Sequence, residues 1–199
     1  MAAHLLHIGK TGGTALKAAL HRATDATETT TALGILHVHG HDMTLDRLPE
    51  GDVAVCFLRD PVTRFVSAFD SRYRRGRPRY NRRWSIAETI AFTMFPTAAS
   101  LAEALADDRS AAKFAMRSIQ HLNRHYTHWL GPVDASATRR ERLAFVGRQE
   151  TLTDDVERLR RLLHLSQPLE LPDDPVAADR KSTRLNSSHM VQSRMPSSA

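Results

Sequence analysis

"HIGKTGGTAL", residues 7 to 16, decides the fold. The short apolar run "HLLHI" at 4–8 ends at Gly9, and from Thr14 onward Leu16, Ala19, Leu20 and Ala23 recur at helical spacing, which predicts a strand, a glycine loop and a helix. Gly9, Gly12 and Gly13 let backbone approach an anion closely, and a helix starting just beyond them would aim free N–H groups and the positive end of its dipole at it. The usual nucleotide-triphosphate loop places its lysine after the last glycine. Here Lys10 precedes the glycine pair, so the loop poses the question of which anion it holds.

Working outward, "ILHVH" at 35–39 and "LAFVGRQE" at 143–150 read as strands, while "VAVCFL" at 53–58 is apolar without alternation, as in a strand buried on both faces. Residues 24–31, rich in threonine, read as a polar connection. Asp60 is placed to cap a helix with Pro61 at its first position, and Val62, Phe65, Val66 and Phe69 form its apolar stripe. Further helices are predicted over 85–95, 97–107 and 110–127, and a last one begins near Thr153. Strands alternating with helices give an α/β class, a parallel sheet flanked by helices.

The chain has 199 residues, 41% of them hydrophobic, which is enough for one domain with its own core. No apolar run approaches the roughly 20 residues of a membrane span, and no signal peptide is visible, so the expectation is a cytoplasmic protein. Cys56 is the one cysteine, which rules out an internal disulfide. Of the net charge of +6, residues 180–199 supply four basic groups and no acid, leaving +2 for the rest. That serine-rich tail lacks an apolar face and resembles translated adapter sequence. The domain is therefore drawn at 1–178 and residues 179–199 are set aside as a non-native or disordered tail, a natural disordered tail being the alternative.

Arg59 ends the buried strand, where ligands of open α/β sheets gather. Arg64 and Ser67, three residues apart on the helix face opposite the apolar stripe, are spaced to meet one ligand. "HIGKTGGTAL" followed about forty residues later by "FLRDPVTRFVSAF" resembles the sulfotransferases that use 3′-phosphoadenosine 5′-phosphosulfate, particularly the carbohydrate-modifying ones. "IQHLNRHYTHWLG" and "FVGRQETLTDDVERL" look like weaker downstream segments of that family. The resemblance implies a P-loop nucleotide-kinase-like fold. It also implies that Lys10, Thr11, Gly12, Gly13 and Thr14 cradle the 5′-phosphosulfate, that Arg59 and Ser67 bind the 3′-phosphate, and that Lys10 stabilises the leaving group. Family members usually continue through a further C-terminal segment, which here is missing or replaced by the tail.

"HVHGHD" at 37–42 admits two readings. If extension persists through Gly40, His37, His39 and His41 share one face and a metal-dependent hydrolase is the alternative function. The H-G-H also resembles that of uronic-acid 2-O-sulfotransferases, which implies His41 as catalytic base and His39 as a substrate or supporting contact. The stretch 71–84 holds seven arginines and three aromatics and reads by default as a solvated loop. As a nucleic-acid-binding module it would explain neither the glycine loop nor the Arg59-to-Ser67 spacing, so no nucleic acid is expected. With an enzyme, an acidic saccharide is the more economical partner, because arginines meet carboxylates bidentately while aromatic faces stack on sugar rings.

Overall fold

The computed structural model describes residues 1–24, 28–132 and 140–172. β1 (Ala2–Leu6) leads through the glycine loop into α1 (Gly13–Thr24), followed by a hairpin of β2 (Glu28–Thr31) and β3 (Gly34–Val38), and by β4 (Val53–Leu58). Then come α2 (Pro61–Tyr73), α3 (Ile86–Met94), α4 (Ala98–Ala106), α5 (Ser110–Ser118), α6 (Tyr126–Leu130), β5 (Leu143–Arg148) and α7 (Leu152–Leu162). The sheet order is β2-β3-β1-β4-β5, parallel throughout except for the β2–β3 hairpin. This is the expected α/β architecture. The chain moves from β1 to one side and then returns to place β4 on the other, so the C-terminal ends of β1 and β4 flank the crevice where ligands of such sheets bind.

Side-chain alternation along the strands builds two cores. Ala3, Leu5, Val55 and Phe57 pack with Leu16 and Leu20 of α1 and Val156 and Leu159 of α7. Leu6, Ala54 and Cys56 point the other way, against Leu45, Leu48 and Trp129. The unbroken apolar run of β4 is thus used on both faces. Burial there pushes the Cys56 thiol up to about 12, so it serves as a small apolar side chain rather than a nucleophile. A third core joins α2 to α5 through Phe69, Ala91, Phe92, Leu101, Ala112 and Ile119. Among the described residues, no single helix is long and apolar enough to cross a membrane.

Three expectations are corrected. The threonine-rich stretch is not wholly a connection, because Glu28–Thr31 forms an edge strand on β3; β-branched threonines suit a strand with one neighbour. The helix expected over 110–127 stops at Ser118, since the Gln120 N–H donates to Glu88 Oε1 (3.1 Å) instead of a helical carbonyl and His121 turns left-handed at φ 74°. α2 is capped as read, with Asp60 Oδ1 accepting from the Thr63 N–H at 2.8 Å. Its buried face differs, however: Val62 is 69% exposed while Arg64 and Arg72 are 7% and 2% exposed. The groups on that side are carbonyls and a carboxylate, which need donors rather than methyl groups.

Candidate active site

The glycine loop is built as its composition demands. Lys10 (φ 71°) and Gly12 (φ 91°) both turn left-handed, and the Gly12 carbonyl accepts from the N–H groups of Ala15 (3.0 Å) and Leu16 (3.1 Å) to start α1. A Cβ at Gly13 would stand 2.4 Å from the His7 ring, so only glycine fits beneath that imidazole. The first N–H groups of α1, half-buried Lys10 and exposed Thr14 therefore gather at the end of β1. Thr11 is used differently. It is buried, and its hydroxyl donates to the Ile8 carbonyl at 2.9 Å, bracing the loop.

Arg59 leaves β4 with its backbone clamped: its N–H donates to Tyr126 Oη (3.1 Å), and that hydroxyl donates back to the Arg59 carbonyl (2.6 Å). Its Nε donates to Thr63 Oγ1 at 3.0 Å, laying the guanidinium along the first turn of α2. Ser67 is buried on the inner face of the same helix. Arg64 does not stand beside Ser67 as a second free ligand group. Its Nε donates to the Gly9 carbonyl (3.0 Å), its Nη2 to the Arg124 carbonyl (2.9 Å), and its guanidinium lies over the Tyr126 ring.

The histidines of "HVHGHD" divide into two groups. His37 and His39 stay on the sheet face with His4. His39 Nε2 meets His4 Nδ1 at 2.8 Å, His4 Nε2 meets Asp52 Oδ2 at 3.0 Å, and the His37 ring stacks on His4. Asp52 can only accept, so in the neutral chain each imidazole donates through Nε2, His39 to His4 and His4 to Asp52. The ammonium of Lys17 donates to the His39 carbonyl at 3.1 Å.

Beyond Gly40 the chain turns, and His41 joins the glycine loop. Its ring stacks on His7 (3.9 Å between centroids) and lies 6.4 Å from His121. The single face required by the metal reading is therefore not formed. Among the described residues, no group of three or more His, Cys, Asp or Glu is arranged to hold a metal ion.

His41 Nδ1 lies 2.9 Å from the His7 carbonyl. A carbonyl only accepts, so Nδ1 carries the proton and Nε2 is left with the lone pair. Burial lowers the His41 pKa, with the His7 carbonyl opposing that shift. Burial is also the main cause taking His7 down to about 3 and His121 down to about 4. All three rings are neutral at physiological pH.

A cavity of about 600 Å³ opens beside Gly9 and His41, walled by His121, Arg124, Arg82, Arg83 and Trp84. The arginine-rich stretch is only partly a solvated loop. Arg72 is 2% exposed and grips both Glu88 oxygens (2.5 and 2.6 Å) and the carbonyls of Arg82 (2.8 Å) and Arg83 (2.7 Å). Glu88 further accepts from the N–H groups of Ser85 (2.9 Å) and Gln120 (3.1 Å). This buried pair ties the arginine loop to the segment carrying His121 and Arg124. Sequence reasoning takes 119–131 only as a weak family segment, read as helix to 127, and does not single out those two residues or Tyr126 and Trp129 within it. Its clustering of polar and aromatic residues between 119 and 130 was the available signal.

No curated protein and no solved structure matches the chain. The sequence model of the Sulfotransferase family matches residues 4–197, spanning the glycine loop, the β4–α2 motif, the cavity wall and β5–α7. It also runs through the tail, where the boundary drawn at 178 lies outside the described residues. The match covers nearly the whole chain, and the protein belongs to the Sulfotransferase family.

Proposed function

We propose that this sulfotransferase takes its sulfuryl group from 3′-phosphoadenosine 5′-phosphosulfate and delivers it to a carbohydrate hydroxyl, an acidic glycan being the favoured acceptor. Such a donor supplies, when bound, a sulfuryl group on a phosphate that departs as the 3′,5′-bisphosphate. The residues fit it: a loop that admits no Cβ at Gly13, a helix N-terminus, Lys10, and Arg59 at the end of β4. Gly12, Gly13 and Thr14 hold the phosphosulfate at the start of α1, with Thr11 keeping the loop in shape. Lys10 meets the negative charge that develops on the departing oxygen. Arg59 and Ser67 bind the 3′-phosphate. His41 would take the proton of the attacking hydroxyl at Nε2. His39, engaged with His4 and Lys17, supports the end of β3 from which His41 emerges.

The observation that carries this reading is the His41 tautomer. The hydrogen bond to His7, two residues before Gly9, leaves the lone pair on Nε2 of a residue that lines the cavity beside the loop. The test is calorimetric. Adenosine 3′,5′-bisphosphate should bind with 1:1 stoichiometry, and Arg59→Ala should weaken it by about tenfold or more, as loss of a charged contact does, while sparing adenosine 5′-phosphate. Absence of bisphosphate binding by the wild type would end the donor proposal. Transfer that chelators abolish and zinc restores would move the function to metal chemistry.

A further inference from the structure

The geometry points to Arg64 as the positioning residue that sets the catalytic base against both halves of the donor site, an inference that rests on the proposed roles of His41, Lys10 and Arg59. Three chains of contact start at its guanidinium. The first is direct, Nε donating to the carbonyl of Gly9 in the donor loop at 3.0 Å. The second runs through Tyr126: the guanidinium lies 4.8 Å from that ring centroid, and the Tyr126 hydroxyl clamps the backbone N–H and carbonyl of Arg59. The third reaches the base twice. Nη2 donates to the Arg124 carbonyl at 2.9 Å, and the Arg124 side chain donates to the His41 carbonyl at 3.3 Å. Trp129, 5.6 Å beneath the guanidinium, donates its indole N–H to the same His41 carbonyl at 2.9 Å. Loop, phosphate arginine and base thus hang on one side chain, which comes from the helix between them.

Arg64 is 7% exposed, and among the described residues its contacts are carbonyls and aromatic faces, not a carboxylate. Removing a guanidinium from water without a countercharge is costly, and a buried helix face that only needed filling would be met by Leu or Met. What an apolar residue cannot supply is the planar fork that holds two carbonyls from different segments at a fixed separation. Lysine would keep the charge but not that fork.

The experiment compares wild type, Arg64→Lys and Arg64→Met by three readouts on the full chain. These are bisphosphate binding by calorimetry, sulfuryl transfer kinetics, and titration of the His41 ring followed by NMR. His41 is faced by His7, Lys17, Asp42, His121 and Arg124, all unchanged in these variants. In Arg64→Lys, bisphosphate affinity should stay within about threefold of wild type, because the charge is kept. The rate constant kcat should fall by about 10²-fold, the usual result of a misplacement near 1 Å, and the His41 titration should move up toward the ordinary imidazole range as its packing loosens. Arg64→Met should lose bisphosphate affinity as well.

A folded Arg64→Lys protein whose His41 titrates as in wild type and whose kcat is within threefold overturns the assignment. If wild type binds no bisphosphate, the donor proposal fails on its own. The Arg64 assignment is then decided by the His41 titration, which requires neither donor nor acceptor.

Discussion

At the scale of single residues, the proposed roles separate groups that would meet existing charge from groups that would meet charge appearing during reaction. His41 is assigned to the second kind. With Nδ1 committed to the His7 carbonyl, its one free nitrogen is basic, and burial keeps it unprotonated below the pH at which an exposed histidine would gain a proton. We predict that His41→Ala retains fold and bisphosphate binding but loses transfer by about 10²- to 10⁴-fold, the range of general-base catalysis. The acid limb of the wild-type pH–rate profile should lie below the ordinary histidine pKa, because the lowered pKa delays protonation. Near-normal transfer by a folded, bisphosphate-binding His41→Ala would remove its catalytic role. Lys10→Ala should lower kcat by about 10²- to 10³-fold, as loss of one oxyanion contact does. A larger effect on bisphosphate affinity than on kcat would show that Lys10 meets ground-state charge instead.

Among the elements, α2 carries most of what the sequence did not reveal. Its start was legible: Asp60 and Pro61 are a cap and a first-turn residue by their own chemistry, and the buried strand before it was plain from "VAVCFL". The glycine loop and the α/β class were legible for the same reason, since glycine spacing and apolar period act locally. The inner face of α2 was not. Four apolar residues at helical spacing suggested one stripe, yet two of its members, Val62 and Val66, are exposed because Arg64 and Arg72 serve partners distant in sequence.

The end of α5 hides in the same way, because the N–H of Gln120, two residues past Ser118, is claimed by Glu88, thirty-two positions earlier. The split of the three histidines depends on the turn after Gly40, which period-2 reasoning extends straight through. The Arg72–Glu88 pair is therefore open to a direct test of its structural weight. Glu88→Gln should destabilise the protein by about 3 kcal/mol in urea unfolding, the scale of breaking one side of a buried pair. A loss under about 1 kcal/mol would mean that the carbonyls of Arg82 and Arg83 suffice to hold Arg72.

For the molecule as a whole, the candidate site lies at the C-terminal ends of β1 and β4, and the cost of that position is a set of imidazoles held neutral beside the loop. His7 and His121 have pKa values lowered to about 3 and about 4, burial being the main cause in both. In the unfolded chain they would titrate near 6.5, the ordinary histidine value. Between those limits the unfolded state binds protons that the folded state refuses, so stability rises with pH. The penalty of these neutral rings is absent above about pH 6.5 and grows as the pH falls, to about pH 4 for His121 and about pH 3 for His7, at about 1 kcal/mol per pH unit from each ring within its window.

The carboxylates act in the same direction at a lower pH. Asp155, bonded to Thr151, Arg148 and Arg158, and Glu88, bonded to Arg72, have lowered pKa values, so their stabilisation is lost once acid protonates them. We therefore predict that the urea midpoint falls steadily from pH 7 to pH 4.5, where carboxylates are still largely ionised, and that His121→Gln makes this slope shallower while leaving stability at pH 7.5 less changed. A wild-type midpoint that stays flat across that interval would mean that His7 and His121 accept protons in the folded state. The neutral imidazole bed beside the donor loop, and with it the low acid limb expected for His41, would then be lost.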